Sequence, residues 1–150
     1  MLADSLIVPE CIFRPGSFSG LMTIYESNYI KFARLVGSYP EADTEWVSTV
    51  PGDCDLHLEW LRREPYTSTL KLTYWFENPD RQREPDPDMV VRVYHDAALV
   101  EAVGGRQSHH HHLLKALSRS HAGELDRRWR VNIMLNKWLD YLLDNGHRFA

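Results

Sequence analysis

Cys54-Asp-Leu-His-Leu-Glu-Trp60 alternates without a break: Cys54, Leu56, Leu58 and Trp60 fall on one side, Asp55, His57 and Glu59 on the other. A period of two is that of a strand with one buried and one wet face. Ser68 to Phe76 repeats the pattern, with Leu70, Leu72, Tyr74 and Phe76 together. A weaker strand is expected around Trp46 to Val50, and Met89 to His95 followed by Leu99 to Val103 predicts two more strands joined by a short turn. The middle of the chain therefore reads as an antiparallel meander of four or five strands. Asn78 to Asp88 carries Pro79, Pro85 and Pro87 among charged residues, a composition that predicts an exposed loop and not a paired strand.

On either side of the meander the period changes to that of a helix. Leu21, Tyr25, Phe32, Leu35 and Val36 recur at helical spacing, with Ser19 as candidate N-cap and Gly37 as stop. Asp126 is a candidate cap for a last helix running to about Asp144. Its core side would hold Trp129, Ile133, Leu135, Trp138, Leu139, Leu142 and Leu143, and Asn145-Gly146 would end it. The fold class expected is α+β, with an N-terminal and a C-terminal helix packed on one face of the meander. Residues 1–19 read as an irregular N-terminal arm and 20–150 as a single domain. The 104–123 stretch has no strong apolar face, and its run His109 to His112 reads as a solvated segment without the spaced ligands of a structural zinc site.

Bulk properties narrow the function classes. A chain of 150 residues suits one domain with one core. Net charge is −4, which disfavours nucleic acid as a partner. No apolar run approaches the roughly 20 residues of a membrane span. Cys11 and Cys54 are too few for a disulfide framework, and the start lacks the pattern of a secretory signal, so a reducing cytoplasm is expected. Glycine-rich phosphate loops, nucleophile elbows, paired CxxC motifs and HExxH are missing from the sequence, and no cofactor or metal is implied.

Several polar residues stand where apolar ones are expected. Asn28 interrupts the stripe of the first helix, and Asn132 interrupts that of the last. A buried amide without partners costs about 1–3 kcal/mol. Either the two asparagines tie the helices to the sheet or a loop, or they point into a ligand pocket. His95, beside Asp96 at a strand end, reads as a brace for the hairpin or, alternatively, as a general acid or base. Adjacent strand residues point to opposite faces, so His95 and Asp96 form a dyad only if the turn bends them together. Arg63 and Tyr66 lie in a connection at the same end of the meander. Arg127, Arg128 and Arg130 with Lys115 and Arg119 make the one basic cluster, largely solvent-facing on a helix.

Val91-Arg-Val-Tyr-His-Asp-Ala97 followed by Glu101 resembles a segment of the YqiB-like proteins of bacteria, a domain family of unknown function. Asn132, Leu135, Trp138 and Leu139 are similar to that family's closing helix, and Tyr25-Glu-Ser-Asn-Tyr29 and Arg63 to Thr67 to two further segments. The resemblance spans about residues 20 to 147 and departs at Ser108 to Ala122. It implies a bacterial cytosolic protein, no particular reaction, and an interest in Tyr25, Asn28, Arg63, Tyr66, His95, Asp96 and Asn132.

The expected function is that of a non-catalytic accessory or regulatory protein binding a small ligand or a protein partner, without nucleic acid or membrane. Ligand-binding candidates are Tyr25, Asn28, Arg63, Tyr66, His95 and Asn132. The alternative is a hydrolase or transferase acting on a small anionic substrate, with His95 as acid or base and Arg63 as anion clamp. An exposed apolar patch without a pocket would favour a protein partner or a homodimer.

Overall fold

The computed structural model of the chain describes residues 17–37, 45–77, 79–80, 82–106 and 124–149. In order these form α1 (Phe18–Val36), β1 (Glu45–Ser48), β2 (Asp55–Arg63), β3 (Thr67–Glu77), β4 (Arg83–Tyr94), β5 (Leu99–Arg106) and α2 (Glu124–Asp144). The strands make one antiparallel sheet in sequence order, β1-β2-β3-β4-β5, as the alternating patterns predict. Cross-strand pairs such as Leu58 with Leu72, Trp60 with Leu70, Leu70 with Val91 and Val93 with Val100 put one apolar face together. Phe32, Leu35, Val36, Leu135, Leu139 and Leu142 of the helices close the core over that face. The expected α+β class and helix placement hold.

Two boundaries differ from expectation for identifiable reasons. α1 starts at Phe18 and is capped by Ser17, whose Oγ accepts from Gly20 N–H at 3.1 Å, so Ser19 lies inside the helix. Gly20 then has a packing role, because a Cβ there would meet Cζ2 of Trp129 at 2.5 Å. Asp126 likewise lies within α2, whose described residues begin at Glu124.

The larger correction concerns Asn78 to Asp88. Arg83, Glu84 and Pro85 pair with Glu77, Phe76 and Trp75, so β4 runs straight through the proline-rich stretch. β5 pairs with β4 only from Asp88 to Tyr94. The segment carrying Pro85 and Pro87 thus has β3 as its one strand neighbour among the described residues. That is edge position, where a proline without an N–H is tolerated. Strand β5 also continues to Arg106, past the expected Val103, whereas the histidine run at 109–112 lies outside the described residues.

α2 ends as the Asn145-Gly146 step predicts. Gly146 has φ 91°, its N–H bonds Leu143 O at 3.0 Å, and His147 N–H bonds Leu142 O at 3.1 Å. This paired 5→2 and 6→1 closure is a Schellman motif. It reverses the chain so that His147 enters the interior, and Phe149 N–H reaches Leu35 O of α1 at 2.8 Å.

Candidate functional site

The helices are parallel neighbours. Trp129 donates its indole N–H to Ser17 O at 2.6 Å, Asn28 lies by Asn132 and Asn136, and Lys31 by Asn136 and Asp140. Between them runs a buried polar ladder that starts on the free edge of β5. Asn132 Oδ1 accepts from Ala102 N–H at 2.7 Å while its Nδ2 donates to Ala102 O at 3.4 Å. The amide side chain thus meets Ala102 as the peptide of a further strand would. Asn28 Nδ2 donates to Val100 O at 3.3 Å and to Asn132 Oδ1 at 3.4 Å, and its Oδ1 accepts from Asn136 Nδ2 at 2.9 Å. Lys31 Nζ continues the series to Asn136 Oδ1 at 2.7 Å and Asp140 Oδ2 at 2.9 Å. An exposed sheet edge is a template for unwanted pairing; here amides and helices cover it.

A second constellation occupies the opposite face of β4 and β5. Glu101 has a side chain only 8% exposed, and its Oε1 accepts from the Tyr94 hydroxyl. Arg92 Nη1 lies 4.0 Å from Oε1, and Arg128 Nη1 lies 3.4 Å from Oε2. Tyr25, from the neighbouring Leu21, Ile24 and Trp129 cluster, hydrogen-bonds with Glu101 and Arg128. Burial, then the adjacent carboxylate, pushes the Tyr25 hydroxyl up to about 12. Burial and Glu101 also raise Tyr94, so both hydroxyls stay protonated as donors at neutral pH.

The third group sits where the β2–β3 and β4–β5 turns meet. Glu64 and Thr67 exchange backbone hydrogen bonds at 2.8 and 3.4 Å, leaving Pro65 and Tyr66 as a two-residue loop. His95 lies in the turn after β4, its N–H bonded to Tyr66 O at 2.9 Å and its Nε2 2.8 Å from Ser68 Oγ. Arg63 stacks with Cζ 4.8 Å from the Trp60 ring centroid, a cation–π geometry. Burial, and then the Arg63 charge, hold His95 below its ordinary value, with Asp96 acting in the opposite sense. His95 is therefore neutral at pH 7. Tyr66 projects from the loop, 67% exposed.

A fourth series joins the chain's last segment to the β1 side of the sheet. Ser48 Oγ is 2.9 Å from His147 Nδ1, and His147 Nε2 is 3.0 Å from Asp53 Oδ2. Asp53 also accepts from the Tyr74 hydroxyl and, at 2.8 Å, from Cys54 N–H. The carboxylate calls for a proton on Nε2, which leaves Nδ1 to accept from the serine hydroxyl. Serine, histidine and carboxylate in series have the composition of an acyl-transfer triad. Yet His147 is 0% exposed, Ser48 is buried, and Ser48 Oγ already accepts from Arg148 N–H at 3.1 Å. The arrangement closes the structure and offers no surface to a substrate. The nearby Cys54 thiol is free, and burial with Asp53 and Asp55 raises it, which keeps it from acting as a thiolate near neutrality.

The ligand-binding candidates thus divide among separate groups. Asn28 and Asn132 share the ladder, Tyr25 serves Glu101, and Arg63, Tyr66 and His95 gather at the turns. Asp96 is exposed in its turn and influences His95 through charge. Among the described residues, no group of three or more His, Cys, Asp and Glu side chains is placed to hold a metal ion. No described helix is long and apolar enough to cross a membrane.

A model of the family described as Protein of unknown function (DUF1249) matches residues 31–148. The chain belongs to this family. The DUF1249 match takes in His95, Glu101, Asn132 and His147 and starts at Lys31, after Tyr25 and Asn28. Comparison with curated proteins and with solved structures gives no match. Sequence reasoning overlooked Lys31, Asn136 and Asp140, though Asn132, Asn136 and Asp140 follow the i, i+4, i+8 spacing of a single helix face. It also overlooked the Ser48, Asp53, Tyr74 and His147 series, whose members carry no local spacing signal.

Proposed function

We propose that this DUF1249 protein is a non-catalytic accessory or regulatory protein of the bacterial cytosol, of the YqiB-like kind. It recognises a small ligand or a partner through the end of the sheet where the β2–β3 and β4–β5 turns meet. The observation that carries the reading is the pairing of an exposed Tyr66 and an exposed Arg63 on a support fixed by His95. Aromatic and arginine side chains on a rigid support are the groups that dominate recognition surfaces. The buried polar groups support it too, since the ladder and the His147 series are committed to internal bonds. The free thiol at Cys54 suits a reducing compartment.

The test is native against denaturing mass spectrometry of untagged protein from a bacterial cytoplasm, for wild type, Arg63→Ala and Tyr66→Ala. An adduct or bound partner present in wild type and lost from both variants, with melting unchanged, supports the reading. Retention in both variants overturns it, and a doubled mass would identify a second copy as the occupant.

A second reading rests on the neutral His95 beside Arg63: His95 as acid or base on a small anionic substrate held by Arg63. It requires that His95→Ala keep the adduct while abolishing its turnover. Loss of the adduct without any turnover in wild type leaves the binding reading alone.

A further inference from the structure

Direct cross-strand partners place their side chains on the same face of a sheet. Arg62 pairs with Thr69, Thr69 with Arg92 and Arg92 with Glu101, so these four residues form one row across β2, β3, β4 and β5. Arg128 of α2 extends the row beyond β5 through its contact with Glu101. This row lies on the face that carries Tyr94, whereas Arg63 and Ser68 share the helix-covered face with His95.

Arg92 and, past β5, Arg128 meet the buried Glu101 carboxylate, with Glu64 as a further counter-charge acting on Arg92, while Arg62 stands three strands from Glu101. Tyr94 and Glu101 turn part of Arg92 inward, yet its side chain remains 41% exposed, and Arg62 is exposed as well. An arginine presents five donors in a fixed fork, of which one carboxylate oxygen engages only a part. Arg62 and Arg92 rise from strands two places apart, about 9.6 Å between backbones, a span over which two arginine side chains can converge on one oxyanion. Tyr94 and Tyr25 fix Glu101, and Tyr94 with Glu101 positions Arg92, so that arginine is held in place before any ligand arrives.

We propose that Arg62 and Arg92 form an anion-binding site on the sheet face that carries Tyr94, for a multiply charged oxyanion group of a small molecule. Its chemistry is common to phosphoryl and carboxylate ligands. The site is separate from the turn surface of Arg63 and Tyr66, and it stands or falls independently of the function proposed above.

Calorimetric titration of the full chain at 150 mM NaCl with inorganic phosphate, and separately with citrate, tests it. Saturable binding of phosphate alone assigns a phosphoryl ligand, and of citrate alone a carboxylate ligand; both outcomes support the site. Arg62→Gln, which leaves Glu101 and its partners intact, is expected to weaken binding about tenfold, the scale of one charge-assisted hydrogen bond. Arg92→Gln should weaken it at least as much, and Arg34→Gln on exposed α1 serves as the control for bulk charge. No saturable binding of either probe overturns the proposal. So does an Arg62→Gln affinity equal to wild type, or an equal loss in Arg34→Gln.

Discussion

The two sides of the sheet are fastened by different chemistry. At the β5 edge, Asn132, Asn28 and Asn136 use neutral amides to reproduce the bonding of an absent strand. At the β1 side, His147 joins Ser48 to Asp53 through a titratable ring. An amide carries donor and acceptor together and can satisfy a peptide on its own, so it suits a strand edge. An imidazole has one donor and one acceptor pointing apart, so it suits a link between two elements. The ladder covers an edge; the latch ties the end of the chain.

The largest effect is expected at the ladder. Asn132→Leu strands the buried N–H and C=O of Ala102 and removes one acceptor of the Asn28 amide, and should lower stability by about 3 kcal/mol, read from urea unfolding. His147→Leu leaves the Ser48 hydroxyl proton without its acceptor and takes one hydrogen-bond partner from Asp53, at about 2 kcal/mol. If the second loss exceeds the first, the β1 side and not the β5 edge is the stronger fastening.

A pH-dependent counterpart to the amides, which do not titrate, lies outside both fastenings, at His95 in the turns. The folded chain holds His95 below its ordinary 6.5, so the neutral ring is the one the fold prefers. Its contribution is complete above about 6.5 and declines as pH falls from there toward the depressed folded value. Melting temperature scanned downward from pH 7.5 should therefore fall less steeply in His95→Asn than in wild type, whereas Asn28→Gln should keep the wild-type slope. The smallest effect belongs to the turn feeding β5. Ala98 sits at φ 57°, a left-handed conformation costing a residue with a Cβ about 1–2 kcal/mol. Ala98→Gly removes that strain but gains entropy in the unfolded chain, for a net stabilisation of about 0.5 kcal/mol in the same urea assay.

The strands were readable because one sheet face is covered by helices, which forces Leu56, Leu58, Leu70 and Leu72 into strict alternation. Arg83 to Pro87 was not, since prolines exclude a central strand and nothing local announces that β5 stops short of them. Asn28 and Asn132 were visible as interruptions of apolar stripes, although their purpose depends on Val100 and Ala102, which an apolar strand pattern does not mark as partners. His147 was invisible for another reason. It follows the glycine that ends α2, where a chain ordinarily returns to solvent, and its partners Ser48 and Asp53 come from the far side of the sequence.

The parallel pairing of α1 with α2 also bears on how the chain is made. Asn28 and Asn132 are 104 residues apart, and at roughly 5–20 residues per second a ribosome needs about 5–20 s to bridge them. The strands of the meander need only their neighbours and can assemble as they emerge, and α1 can pack on them through Phe32, Leu35 and Val36, but its side toward α2 stays open until α2 is synthesised. During that interval β5 exposes the backbone N–H and C=O of Ala102 that Asn132 will later satisfy. A nascent chain paused before α2 is therefore the form of this protein most in need of a chaperone.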